Sequence, residues 1–108
     1  MKNKGFTLVE IVLVVSIIGM LASIAIPTFI RARRTAQTTS CMNNLRLISS
    51  AKEQCALETG KTAGDPVTEA EIADFFRRGF PSCPAKGIYS VNPVGTDPAC
   101  TVEGHVCP

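Results

Sequence analysis

The sequence predicts an α+β fold. A long, bent N-terminal helix packs against a small C-terminal head that holds a short helix and a small antiparallel β-hairpin. Three observations predict this. Residues 11–26 read IVLVVSIIGMLASIAI, apolar on every side of a helix. From Thr28 to Thr59 neither Pro nor Gly interrupts the chain. After Gly60, Gly and Pro recur and short alternating segments replace the helical period.

The first element follows a short basic leader. Lys2, Lys4 and Gly5 precede Phe6, and between Phe6 and Ile26 the only formal charge is Glu10. A helix that is apolar all round is buried in protein or lies in lipid. At ~1.5 Å per residue, residues 6–26 span about 31 Å, enough to cross a bilayer core. Lys2 and Lys4 favour a cytoplasmic N-terminus, whereas Arg31, Arg33 and Arg34 lie just past the other end. Charge counting therefore favours the reverse orientation or leaves it undecided. Pro27 has no N–H for the carbonyl of Ser23, so a kink in a helix that continues is expected there.

Beyond Pro27 the period becomes amphipathic. Cys41, Leu45, Ile48, Ala51 or Lys52, and Cys55 recur at steps of three and four, with Asn43, Arg46, Ser50 and Glu53 opposite. Gly60 is a helix stop. Residues 61–66, KTAGDP, form a loop. Thr68 with Glu71 makes a capping box for a short helix whose apolar side is Ile72, Phe75 and Phe76. GIYSV and ACTVE alternate as strands around the turn residues NPVGTDP. The organisation expected is a leader over 1–5, a transmembrane helix over 6–26, its amphipathic continuation over 27–59, and a head over 60–108.

That head is small, and domains of such size build thin cores and need staples. Five cysteines offer them, an odd number, in a pattern suited to an oxidising compartment. Cys41 and Cys55, fourteen residues apart on one helix, are about 21 Å apart and cannot bond. Cys83 and Cys100 flank the hairpin and are the expected disulfide. A second bridge could join Cys107 to Cys41 or to Cys55, leaving the other as a small buried hydrophobe. Cys83, Cys100, His105 and Cys107 together offer three thiolates and an imidazole, a set that suits zinc. Their spacing is not a paired-cysteine knuckle, so no metal is expected and His105 is read as an ordinary polar residue near the tail. A Cys–His catalytic pair lacks an orienting acid and a phosphate-type loop, so no enzyme, catalytic residue or cofactor is expected. The net charge of +2 argues against a nucleic-acid partner.

KGFTLVE, followed by the apolar stretch and then Pro27, resembles the start of type IV prepilins and type II secretion pseudopilins. The resemblance is close over residues 1 to about 35 and mainly one of layout beyond. NNLRLISSAKEQ and the late CP…GIYSVNPVG are similar to small pseudopilin-type proteins, less diagnostically. It implies a pilin-like fold and cleavage by prepilin peptidase between Gly5 and Phe6. It also implies N-methylation of Phe6, and assembly through Glu10 facing a neighbour's N-terminus. An acid in lipid costs on the order of 2–3 kcal/mol near a helix centre and less near an end. The new α-amino group, with pKa near ~8 in model peptides, would offset that cost and set register.

On this resemblance the chain is a single-pass inner-membrane protein with a cytoplasmic N-terminus and a periplasmic head. It assembles into a homo-oligomeric helical filament with minor pseudopilins on an inner-membrane platform. Its short head favours the type II secretion pseudopilus, supporting protein secretion, over a type IV pilus for motility, adhesion or DNA uptake. Calcium sites occur in some heads of this family, but Asp97 and Glu103 are the only acids after Asp74, so no calcium ligand is carried over. The rival from another class is a small secreted disulfide protein behind an ordinary signal peptide, cut near Ser23-Ile24-Ala25. Mass spectrometry of the mature N-terminus separates them. A start at methylated Phe6 is expected, and a start near Ile26 identifies the secreted protein.

Overall fold

The computed structural model describes residues 4–108; Lys2 of the leader lies outside them. The element order is α1 (Leu8–Thr59), α2 (Glu69–Ala73), β1 (Tyr89–Ser90) and β2 (Ala99–Cys100), the α+β arrangement that the sequence predicts. The chain divides into two compact units, Met1–Arg34 and Thr35–Pro108.

In the first unit α1 passes through Pro27 without interruption. Its large apolar side chains from Leu8 to Ile30, Val12, Leu13, Ile17 and Phe29 among them, are exposed, as an all-round apolar helix demands when nothing covers it. The hydroxyls of this run turn back onto carbonyls of the preceding turn. Ser16 Oγ donates to Val12 O at 2.7 Å, Ser23 Oγ to Met20 O at 2.7 Å, and Thr28 Oγ1 to Ile24 O at 3.0 Å. The surface presented outward is therefore almost wholly hydrocarbon, because local bonding removes the polar groups from it. Among the described residues α1 is the one helix long and apolar enough to cross a membrane.

In the second unit the stripe read from the sequence is the buried one. Cys41, Leu45, Ile48, Ala51, Lys52, Cys55 and Ala56 are the buried residues of α1, and Asn43, Arg46, Ser50 and Glu53 are exposed. Leu45 and Ile48 are fully enclosed, each burial contributing about 1.5–3 kcal/mol. Lys52 is buried as well as Ala51, because its ammonium donates to the Thr96 carbonyl. Its apolar stem covers the core while its head is bonded. The helix stops where glycine permits: Gly60 takes φ 72°. Lys61 N then bonds Ala56 O at 3.0 Å, the closing bond of a Schellman turn.

The head packs onto that stripe. Val67, Ile72, Cys83 and Tyr89 complete the core, with Phe75, Phe76 and Phe80 partly buried against it. The capping box at Thr68 and Glu71 forms in both directions. α2 ends at Ala73, so Phe75 and Phe76 leave it on the following turns and still reach the core. The hairpin is antiparallel with Tyr89 opposite Cys100 and Ser90 opposite Ala99. Its strands are shorter than the alternation predicts. Pro98, just before β2, has no N–H to extend the ladder. At the other end the chain turns at Val102–Gly104, where Gly104 has φ 82°. His105 N bonds Val102 O at 3.2 Å, which bends the tail back toward the core.

Lys61 Nζ meets Glu71 Oε1 at 2.7 Å. That bond first, then the Thr68 backbone N–H, holds the Glu71 carboxyl below its ordinary 4.5. A lowered carboxyl stabilises the fold above its unfolded pKa, and this is lost as pH falls through the folded value. A carbon-13 titration of Glu71 is expected to show a midpoint below 4.5, and Lys61→Ala should move it upward; an unmoved midpoint would show that the ion pair contributes nothing.

Candidate functional site

Two places carry chemistry, one in each unit. At the start of α1, Thr7 is the N-cap residue and Glu10 occupies the third helical position. Thr7 N donates to Glu10 Oε2 at 3.1 Å, and Glu10 N donates to Thr7 Oγ1 at 3.2 Å. This is a second capping box, T-x-x-E, with the same signature as Thr68–Glu71. Sequence reasoning fixed on the charge of Glu10 and missed it, although the spacing was visible. The box gives the acid a local role: it satisfies an orphan N–H and sits at the positive end of the helix. Phe6 lies one residue before the cap and is exposed. Gly5 has nothing within 4 Å of the position a β-carbon would take, and its φ is not in the left-handed region. Among the described residues, nothing in the packing requires glycine there. Arg31, Arg33 and Arg34 are exposed on α1.

The second place lies inside the head. Cys83 and Cys100, the expected disulfide pair, come together with their sulfurs 3.7 Å apart. They do not come alone. Cys41 from α1 and His105 from the tail complete a group whose ligand atoms all lie within 4.8 Å of one another. His105 Nδ1 is 3.6 Å from Cys83 Sγ and 3.9 Å from Cys100 Sγ. Its Nε2 faces Thr38 Oγ1 at 3.3 Å. The histidine is buried, not an ordinary tail residue, because the turn at Gly104 brings it inward. Cys107, which the sequence grouped with Cys83, Cys100 and His105, is not in this cluster; Cys41 takes its place. Sequence spacing could not reveal that exchange, since Cys41 lies on another element and reaches the group only through tertiary packing.

The surroundings distinguish the sulfurs. Burial pushes the Cys41 thiol up to about 12, against the opposing hydrogen bond from Tyr89. Burial also acts upward on Cys83. There the N–H groups of Ala85 and Gly87, with His105 and Cys100, reverse it and bring the thiol down to about 7. The left-handed residue Lys86, φ 64°, shapes that turn. Gly87 is required by close approach. A β-carbon on it would lie 2.6 Å from Cys100 Sγ, 2.7 Å from Val102 Cγ2 and 3.2 Å from Cys83 Sγ. Tyr89 Oη donates to Cys41 Sγ at 3.5 Å and accepts from Asn44 Nδ2 at 3.1 Å. Its ring packs edge-on against Phe80, which packs edge-on against Phe76.

Residues 1–26 match the prokaryotic N-terminal methylation motif. The type IV major pilin protein PilA of Myxococcus xanthus is 42% identical over 52 residues, 48% of this chain and 24% of that one. The type IV major fimbrial protein FimA of Dichelobacter nodosus is 44% identical over 63 residues, 58% of this chain and 40% of that one. The type IV wide pilus major component PilA4 of Thermus thermophilus is 28% identical over 106 residues, 97% of this chain and 76% of that one. The chain thus spans only about a quarter and two fifths of the length of the first two. No solved structure matches it significantly. By its N-terminal motif and by these relatives, the chain is similar to type IV pilins and fimbrial proteins, most closely over its N-terminal half.

Proposed function

We propose that the chain is a structural subunit of a type IV pilus-like filament. It is stored in the inner membrane through residues 6–26, with a cytoplasmic leader and the head on the periplasmic side, and it assembles by packing of the apolar helices. The observation that carries this is the Thr7–Glu10 box. The one acid of the apolar run is held on the first helical turn, beside the place where removal of residues 1–5 would create a new chain end at Phe6.

The parts then have physical reasons. Gly5 serves prepilin peptidase, which must bring its groups close to the backbone, and the open space around it supports that role. The enzyme cuts between Gly5 and Phe6 and methylates the new amine. A cation at a helix N-terminus is unfavourable, so the freed amine needs an acid. A carboxylate accepts several hydrogen bonds, so Glu10 holds its own cap and takes the ammonium of a neighbour together. Apolar packing of exposed side chains such as Ile17, Leu21 and Phe29 supplies affinity; the charge pair sets the stagger. Pro27 lets the helix bend where one environment gives way to the other.

The relatives are named as pilins and fimbrial proteins, which favours a pilus subunit. A type II secretion pseudopilus with minor pseudopilins is the second reading. Deleting the gene tests this: loss of twitching, adhesion or DNA uptake supports the pilus, and loss of exoprotein secretion supports the pseudopilus. The mechanism is tested by Glu10→Gln, because glutamine keeps the capping box and removes only the charge. Cleavage of the leader should persist. Filament yield in sheared fractions should fall by about tenfold or more, as loss of a charged hydrogen bond worth about 1.5–3 kcal/mol implies. Normal yield would contradict the assembly role of the charge.

A further inference from the structure

We propose that Cys41, Cys83, Cys100 and His105 bind one zinc ion as a closed structural site that staples the head to α1. Zinc bonds of about 2.3 Å to thiolate and about 2.0–2.1 Å to imidazole nitrogen place neighbouring corners of a tetrahedron about 3.5–3.8 Å apart. The distances between Cys83 and Cys100, Cys83 and His105, and Cys100 and His105 are 3.7, 3.6 and 3.9 Å. Cys41 Sγ closes the group within 4.8 Å of each of the others. A disulfide between Cys83 and Cys100 would shorten one edge to about 2.05 Å. It would leave a third buried sulfur and a buried imidazole facing it with no shared purpose.

The shell around the four atoms is that of a metal site. A ligating histidine donates its other N–H to an oxygen that fixes the ring, and Nε2 faces Thr38 Oγ1 at 3.3 Å. Tyr89 Oη donates to Cys41 Sγ at 3.5 Å, and such a donor stabilises thiolate charge in a buried place. Gly87 leaves the room that the sulfurs of Cys83 and Cys100 fill. Four protein ligands of this type favour zinc and leave no open position for catalysis. The ligands come from a helix, a loop, a strand and the tail. One ion therefore ties together a head whose strands have two residues each and whose own helix has five. Folding of that head is coupled to metal.

The test uses the untagged full-length chain, purified in detergent without chelator, with its zinc content measured by plasma mass spectrometry. About one zinc per chain is expected. Cobalt added to the stripped chain should give a thiolate charge-transfer band in the near-ultraviolet and strong tetrahedral bands in the red. Cys41→Ser and His105→Ala should lose the ion, and Cys107→Ser and Cys55→Ser should keep it. Thr38→Val should weaken it by about 10–100-fold. Because a ligand variant can fail to fold, the cobalt spectrum of the unaltered chain decides independently. A metal-free chain without those bands overturns the site. So does a Cys83–Cys100 disulfide in the peptide map of unreduced protein, or zinc kept by Cys41→Ser but lost by Cys107→Ser.

Discussion

Between Thr7 and Glu10 the chain makes a reciprocal pair of hydrogen bonds at the start of α1, and the behaviour of the apolar run follows from it. An acid in such a run is expensive unless something fixes it. The capping box fixes it on the first turn, where the cost is lowest and the helix dipole helps. The same carboxylate is thereby presented at the end of the helix, where a positive chain end can meet it. Everything beyond it in the run is hydrocarbon, since Ser16, Ser23 and Thr28 turn their hydroxyls onto their own helix. In the proposed filament, one group supplies direction and the remainder supplies affinity.

The head faces a different constraint. Its core is a single stripe on α1 covered by a few residues of loop, short helix and hairpin. Such a core is thin for its length of chain. The sulfur–imidazole cluster sits in it, with Gly87 giving way to two of the sulfurs. Polar atoms in that interior are bonded, including the ammonium of Lys52 and the hydroxyl of Tyr89. Local bonding thus does in the head what burial area alone does in larger domains.

Much of this was legible in the sequence, and the reasons are particular. The stripe from Cys41 to Cys55 was readable because a helix without Pro or Gly leaves only its period to interpret. Gly60 and the Thr68–Glu71 box were readable because their chemistry is local. The hairpin was located but drawn too long, since Pro98 and the turn at Gly104 end its ladder early. The cysteines were not legible in the same way. Cys107 is near the others in sequence, whereas Cys41 is near them in space, and only tertiary packing separates those two kinds of nearness. His105 was misread for the same reason. The Thr7–Glu10 box is written as plainly as its counterpart at Thr68, in the same T-x-x-E spacing.

The proposed intersubunit pair between Glu10 and the amine of Phe6 is tested directly by solid-state NMR. Filaments are grown from an equal mixture of two preparations, one carrying nitrogen-15 in phenylalanine and the other carbon-13 in the glutamate carboxyl. A dipolar coupling between the Phe6 amine and a Glu10 carboxyl, matching a separation of about 4 Å or less, is predicted in the mixed filament. Because the labels reside on different chains, that coupling can arise only between subunits. Its absence, with the same coupling strong in filaments of doubly labelled chains, would place the pair within one chain and contradict the account.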